Sequence, residues 1–493
     1  MRLHLTLLAS ALVLAGCTVG PDYVPPAASV PPAFARPAEG VLRDEDVARW
    51  WMSFGDAQLS ALIDKGLADN PDIAIAASRV RAARLQEIAA RAAGKPALNA
   101  ATQVSRVEFS KNAGFASLGR LFSQGNGTGG QGVTTPGNGI STVAIGFDAS
   151  WELDLFGGDR RGVEAARARG EAALWTARDA AVTLAAEIAD AYFALRLDQA
   201  QIAIVEQAAA RQRRGLEIAG NIARVGLVPD IDVVRQRGGL SATLARLEPL
   251  RADAELRMHA LGVLTGQPPE ALLGILQAPG TAADAPVAIP AGLPSDLLRR
   301  RPDIRAAERR LAAATADIGV AVADLYPRFS LTGAAQLLSA SLSNLVSSDS
   351  IQANAAAAAT FPILDWGRRK ANVGLAKEAR EQAYADYQAT VLRALRDVED
   401  ALSRLDAERR RMAVLRDSLA DAERTLRAVE AQYRAGVVAQ SALIDAQVSL
   451  LAANEQLAGS EALMQQQTAS LFKALGGGWS PSEDAGTNRG NKG

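Results

Sequence analysis

The sequence predicts a mainly α-helical fold with a small β part, arranged as two tandem repeats, and three observations predict it. Sequence elements recur at two fixed shifts: Asn-Pro-Asp-Ile at 70–73 returns as Arg-Pro-Asp-Ile at 301–304, and Pro96 as Pro327, both 231 residues on. Phe156-Gly157, Arg224-Val225-Gly226 and Gly266 return 210 residues on as Trp366-Gly367, Arg434-Ala435-Gly436 and Gly476. Two runs, from Asp159 to Asn221 and from Gly367 to Arg434, contain no proline. Four short segments at equivalent places in the two repeats read as strands of about ten residues.

Each repeat has the same order of parts: helix, two strand segments, one very long helix, a tight turn and a further helix. The difference between the shifts, 21 residues, falls between the proline and the aromatic-glycine pair of the first copy, where Phe122 to Gly139 is rich in Gly, Ser, Thr and Asn. The long helices are expected over 159–222 and 367–434, each on the order of 90 to 100 Å at 1.5 Å per residue. Helices of that length need lateral partners. In the second, Val391, Leu395, Val398, Leu402 and Leu405 keep a spacing of four and three, and Met412, Leu415, Leu419, Ala422, Leu426, Val429 and Tyr433 resume it. This is a coiled-coil seam with one phase slip expected near Arg409. Shorter helices are expected over 72–94, 230–264, 302–325 and 439–475, two of them stacking end to end beside each long one.

The strand segments are 97–107, 142–153, 328–337 and 351–361. In the second, Val143, Ile145, Phe147, Ala149, Trp151 and Leu153 share one face, and Thr142, Ala144, Gly146, Asp148, Ser150 and Glu152 share the other. Phe329, Leu331, Gly333, Ala335 and Leu337 repeat the pattern against Arg328, Ser330, Thr332 and Gln336. The partners at 97–107 and 351–361 consist mostly of small residues. An apolar-out, polar-in alternation of this length suits a transmembrane barrel. Four strands cannot close around a lumen, and an open edge in lipid leaves backbone groups unpaired at several kcal/mol each. Copies must associate. Two would give eight strands with a side-chain-filled interior, three would give twelve and a wider one, so a conducting role favours a homotrimer. Alternation also describes half-buried strands of a soluble two-sheet protein.

The N-terminus speaks for the membrane. Arg2 precedes an apolar run from Leu3 to Ala15, the pattern of an export signal over 1–16 and too short to span a bilayer. The run ends in Leu14-Ala15-Gly16-Cys17, which resembles a lipobox, and Cys17 is the only cysteine. Lipidation at Cys17 is expected, against the alternative of a buried free thiol. Thr18 follows, not aspartate, which fits delivery to the outer membrane in the lipoproteins it resembles. No other segment has 18 uninterrupted apolar residues, so a crossing must be made by strands.

Composition narrows the function further. Only 5% of the 493 residues are aromatic, so alanine carries much of the apolar content, and 53 basic against 54 acidic residues leave a formal charge of -1. That balance gives no sign of nucleic acid or of an acidic substrate as partner. An enzyme is the first competing class. His4 goes with the signal, leaving His259 as the only histidine, and an acylated Cys17 forms no Cys-His pair, so no histidine-based metal cluster is expected and no cofactor beyond the covalent lipid. Gly125-Asn126-Gly127-Thr128-Gly129-Gly130 satisfies G-x-G-x-x-G but follows no apolar strand and opens no helix; it reads as an extracellular loop. A second competing class is a lipid-anchored periplasmic coiled-coil tether, which leaves the four alternating segments without a purpose.

The run LLRRRPDIRAAERRLAAATADIGVAVADLYPRFSLTG from Leu297 to Gly333 resembles the signature of TolC-like outer membrane factors, in the lipoprotein branch of OprM or NodT type. CTVGPDYVPP from Cys17, WWMSFGDAQL at 50–59, WELDLFG at 151–157 and YRAGVVAQSALIDAQ at 433–447 are similar to that family too. The resemblance implies a trimer with a twelve-stranded barrel in the outer membrane, a twelve-helix periplasmic tunnel and a mixed belt near mid-length. The chain then divides into the signal at 1–16, a lipidated extended segment and belt at 17–57, repeat 1 at 58–264, a Pro-rich belt linker at 265–296, repeat 2 at 297–475, and a C-terminal tail at 476–493. It further implies an efflux duct completed by an inner-membrane pump of the resistance-nodulation-division type and a periplasmic adaptor that meets the tunnel tip. The tips are the turns Arg224 to Asp230 and Arg434 to Gln440, where Gly226 and Gly436 are the residues most able to adopt positive φ. Asp445 stands where relatives place an aspartate pointing into the closed tip, and three such carboxylates about a three-fold axis would attract cations and resist closure. The alternative is an acid favoured early in a helix by its dipole. Ser441 departs from the family, whose OprM-like members carry a bulky apolar residue there.

Overall fold

The computed structural model describes residues 18–27, 30–35, 47–108, 139–225, 229–278, 292 and 294–479. Cys17, the G-x-G-x-x-G stretch at 125–130 and Gly226 lie outside the described residues. The helices are α1 (Ala57–Asp69), α2 (Pro71–Ala93), α3 (Gly158–Arg224), α4 (Asp230–Ala245), α5 (Leu247–Leu264), α6 (Leu273–Leu276), α7 (Pro294–Arg300), α8 (Pro302–Ala323), α9 (Arg368–Arg434) and α10 (Gln440–Ala474). The strands are β1 (Ala97–Glu108), β2 (Gly139–Leu153), β3 (Arg328–Ser339) and β4 (Ile351–Thr360). No helix among the described residues is long and apolar enough to cross a membrane. These elements form two compact units.

The first unit comprises Met1–Val24, Arg84–Ala168 and Ala312–Glu381 and holds the sheet. The strands lie in the order β1-β2-β3-β4, antiparallel throughout. The registers place Thr102 opposite Ile145, Ile145 opposite Leu337 and Leu337 opposite Ile351, so the alternation read along single strands becomes one apolar face across four. The opposite face carries Asn99, Gln103, Asp148, Ser150, Thr332, Gln336 and Gln352. An N-terminal strap is fastened to this unit by Arg161, whose buried guanidinium donates to Asp22 at 2.6 Å, to Glu164 at 2.8 Å and to the carbonyls of Val19 and Gly20. Phe156 stacks on Tyr326 with centroids 4.6 Å apart.

The second unit comprises Pro25–Ala83, Arg169–Leu311 and Gln382–Gly493. The scarce aromatic residues gather here: Trp50 stacks on Phe472 with centroids 5.5 Å apart, and Phe54 meets Phe193 at 5.0 Å. Asp56 caps α1 by accepting from the amides of Gln58 and Leu59, and its other oxygen accepts the buried Tyr192 hydroxyl at 2.5 Å.

The α9 seam differs from the expected one. Its buried line runs through Tyr387, Val391, Ala394, Val398, Ala401 and Leu405, and further on Leu426, with Leu395 and Leu402 half-buried at its flank. Counting through the alanines, the three-and-four rhythm passes Glu408 to Met412 and on to Leu419, Ala422, Leu426, Val429 and Tyr433 without a slip. The seam place at 408 is taken by a carboxylate that accepts from the fully buried Ser460 hydroxyl of α10, so a polar pair fills the gap that reads as a phase slip in sequence.

The single helix expected over 230–264 is two, α4 and α5, parted at Arg246. Pro249 has no amide to give, and in an unbroken helix its ring would clash with the carbonyl of Ala245, so it is accommodated in the first turn of a new helix. The 265–296 linker contains a 3₁₀ turn, Pro269–Leu272, then α6, and at its end the start of α7.

The repeats share tertiary contacts as well as motifs. Asn70 donates its side-chain amide to the carbonyl of Leu264 at 2.9 Å, and Arg301 donates to the carbonyl of Ala474 at 2.9 Å. Each donor precedes the proline that opens a helix. Each acceptor lies two residues before a glycine that ends one: Gly266 at φ 72° and Gly476 at φ 77°. Both ends are Schellman motifs, with the amides of Gln267 and Gly477 reaching the carbonyls of Gly262 and Phe472.

Candidate functional site

In the first unit the sheet itself is the candidate. Its apolar face is exposed: Phe147 keeps 59% of its surface, Leu98 70% and Val104 74%. Among the described residues, the side-chain ties between neighbouring strands lie on the other face: Asn99 to Asp148 at 3.1 Å, Ser105 with Thr142 at 2.7 Å, Gln336 to Gln352 at 3.1 Å, and the Arg328–Glu152 ion pair at 3.8 Å. Gly146 leaves room there, since a Cβ would fall 2.4 Å from the Cβ of Gln336. A sheet stripped of cover on its apolar face and cross-linked on its polar one is the reverse of a soluble sheet, which turns its apolar face to a core. Among the described residues, both outer strands, β1 and β4, present an unpaired edge. At the foot of the polar face, burial pushes the carboxyl of Asp159 up, with Asp154 and Glu152 adding to the effect and Arg328 opposing it.

In the second unit, α9 ends and α10 begins at a tight turn. Gly436, at φ 70°, donates to the carbonyl of Tyr433, and Val437 donates to that of Gln432, a third Schellman motif. Arg434 is exposed and pairs with Glu430 at 3.6 Å. The first turns of α10 bury Leu443, Ala446 and Leu450 against Leu426 of α9. Ser441 and Asp445 fall four apart on the other, exposed side, so the structure brings these two together on one stripe. Arg224 ends α3 and donates to Asn221.

Sequence reasoning missed a buried amide bridge between the two hairpins. Gln440, the first residue of α10, donates to Gln236 of α4 at 3.0 Å, and Gln236 donates to the carbonyl of Gln212 on α3 at 3.4 Å. Nothing in a lone glutamine at a helix start distinguishes it from a solvated one; only the packing of three helices buries it. Tyr433, at the end of α9, has its phenol pushed up by burial and by the charge of Asp232 at the start of α4. His259 lies beside Glu255 at 3.8 Å on α5. No group of three or more His, Cys, Asp or Glu side chains is placed to hold a metal among the described residues.

A four-stranded sheet with an apolar, exposed face, joined to helices of 67 residues, is the architecture of an outer-membrane channel protein. The chain belongs to the family described as Outer membrane efflux protein, whose model matches residues 62–267 and 293–477. It is 30% identical over 492 residues to the outer membrane protein OprJ of Pseudomonas aeruginosa, covering 98% of this chain and 97% of that one. It is 31% identical over 396 residues to nodulation protein T of Rhizobium leguminosarum bv. viciae, covering 80% and 76%. The solved structure of the outer-membrane channel OprN is similar with a TM-score of 0.83 at 32% identity, over 94% of this chain and all of that one. The protein is thus an outer-membrane efflux channel component, and its relatives are channel proteins, not enzymes.

Proposed function

We propose that three copies of this chain close their sheets into one twelve-stranded barrel and serve as the passive exit duct of a tripartite efflux system. An inner-membrane pump of the resistance-nodulation-division type supplies the energy and the choice of cargo, and a periplasmic adaptor joins it to this channel. The observation that carries the reading is the sheet: apolar and exposed on one face, polar and cross-linked on the other, and open at both edges. In hydrocarbon those edges cost several kcal/mol for each unpaired backbone group, and only closure removes them. A periplasmic tether would have no use for such a surface.

The remaining assignments follow from position. Cys17 carries the acyl chains that hold the N-terminus at the outer membrane. Arg161 holds Val19, Gly20 and Asp22, which follow Cys17 within five residues, and this supports the reading. The turns around Arg224, Gly226, Arg434 and Gly436 meet the adaptor. Ser441 and Asp445 face the narrow end of the tunnel, where three carboxylates repel one another, and the hydroxyl at 441 replaces a hydrophobic constriction with a polar one. No chemistry is performed on the cargo and no cofactor is required.

The test is conductance of the purified protein in planar lipid bilayers, with migration in detergent gels before and after heating. Discrete current steps and heat-modifiable migration are expected. A silent bilayer from folded protein that migrates alike heated and unheated would overturn the duct and favour the tether.

A further inference from the structure

The two internal shifts do more than mark a repeat: they fix how a second copy must pair with this one. Residue numbers paired in the β1–β2 ladder add to 247, as in Ala97 with Ser150. Those in the β3–β4 ladder add to 688, as in Arg328 with Thr360. The two differ by 441, which is 231 for β1 to β3 and 210 for β2 to β4 together. The hairpins of the two repeats therefore have the same register under the same shifts, residue for residue. The Asn70–Leu264 and Arg301–Ala474 hydrogen bonds obey the same two shifts.

One ladder joins the repeats within the chain, that between β2 and β3, whose numbers add to 482. Its counterpart joins the end of repeat 2 to the start of the next repeat 1, and that repeat belongs to another copy. Moving β2 forward by 210 and β3 back by 231 gives a sum of 461. We propose that β4 pairs antiparallel with β1 of a second copy of this chain in the register whose numbers add to 461, from Ala353 opposite Glu108 to Thr360 opposite Ala101. This rests on the reading that copies associate through their sheets, and adds the register that reading leaves open.

The faces are consistent with this register, and one observation outside the derivation agrees with it. The apolar face is made by even-numbered residues of β1 and odd-numbered residues of β4, so only an odd sum keeps apolar beside apolar; a slip of one residue would put every side chain of one strand on the wrong face. The repeat also relates Phe156 to Trp366 and Tyr326 to Lys95. Phe156 is half-buried against Tyr326, whereas Trp366 is held at φ 55° with 91% of its surface exposed, beside Ile363 at 92%. The missing cover is the second copy, which would bring its Lys95 and Pro96 over the indole, a cation–π contact in place of the ring stack.

The experiment introduces cysteine pairs and oxidises the detergent-purified trimer. Val104→Cys with Ala357→Cys and Gln103→Cys with Ala358→Cys are consecutive in-register pairs; because narrow and wide pairs alternate along an antiparallel ladder, one of the two has the close spacing a disulfide needs. Within one chain β1 and β4 stand three strand spacings apart, roughly 14 Å, beyond disulfide reach. Val104→Cys with Ala355→Cys or with Ala359→Cys shifts the register by two, keeps the face and serves as the off-register control. The unsubstituted chain, with Cys17 alone, sets the background. Covalent dimers and trimers from an in-register pair, collapsing to single chains on reduction, with at least tenfold less from the shifted pairs, is the expected result. Cross-linking from a shifted pair only, or none from any pair in a protein that light scattering shows to be trimeric, overturns the register and leaves the trimer standing. A monomer by light scattering overturns the association itself.

Discussion

Arg301 donates to the carbonyl of Ala474 at 2.9 Å and to Asp303 at 2.7 Å, tying the entry of α8 to the exit of α10. Removing the guanidinium leaves a helix-end carbonyl without its donor and takes one donor each from Asp303, which keeps the Ile304 amide, and Asp397, which keeps Arg396. Arg301→Met is expected to cost about 2–3 kcal/mol, the range for hydrogen bonds to charged groups. Asn70→Ala, at the neutral counterpart, should cost about 1 kcal/mol. Thermal unfolding of the two variants in one detergent measures the difference, and equal losses would show that charge plays no part.

The Glu408–Ser460 pair sits where the coiled-coil seam would otherwise be apolar. Ser460→Ala alone leaves a largely buried carboxylate with one partner fewer and should destabilise by about 1–2 kcal/mol. Glu408→Leu combined with Ser460→Ala restores an apolar seam and should come out neutral or more stable than the parent. A double mutant less stable than either single one would remove the pair from the seam.

Gly436 and Gly266 have nearly the same backbone, φ 70° and 72°, but different surroundings. A Cβ on Gly436 meets nothing within 4 Å; on Gly266 it falls 2.4 Å from the carbonyl oxygen of Asp69. Gly436→Ala should cost about 1–2 kcal/mol, the left-handed penalty alone. Gly266→Ala should cost clearly more, because backbone must move. Comparable losses in chemical denaturation would show that the clash relaxes freely.

Asp445→Ala should raise single-channel conductance, or sensitivity of cells to vancomycin-sized solutes, if three such carboxylates narrow the tip. Unchanged values in both assays would take it out of the gate.

Burial pushes the Asp198 carboxyl up to about 6, with Asp253 adding and Arg257 at 3.9 Å opposing. The folded protein therefore holds this proton where the unfolded chain, with an ordinary carboxyl near 4, has lost it. Stability from this group is full below about pH 4, falls as pH rises, and levels off above 6. Asp198→Asn should raise the melting temperature at pH 7 and flatten its decline between pH 4 and 6. A variant with an unchanged pH profile would show that Asp198 does not carry this dependence.

Much of this protein was legible in its sequence because two periodicities and one repeat were strong enough to survive any packing. Alternation at period two determined which faces of β2 and β3 are apolar, and the shifts of 231 and 210 determined that the chain would use every device twice. The small-residue strands β1 and β4 were legible only through those shifts, since a run such as Ala355 to Ala359 has no pattern of its own.

What tertiary structure alone decided is where polar groups could be afforded. The phase slip expected near Arg409 is absent because Glu408 holds the seam place against Ser460, a partner that the sequence does not reveal. Gln236 and Gln440, 204 residues apart, are ordinary surface residues until three helices close over them. The split at Arg246 depended on the weight of one proline against a good helical pattern. Periodicity is local and is written in the residues themselves, whereas the satisfaction of a buried donor or acceptor depends on a partner that only the folded chain brings near.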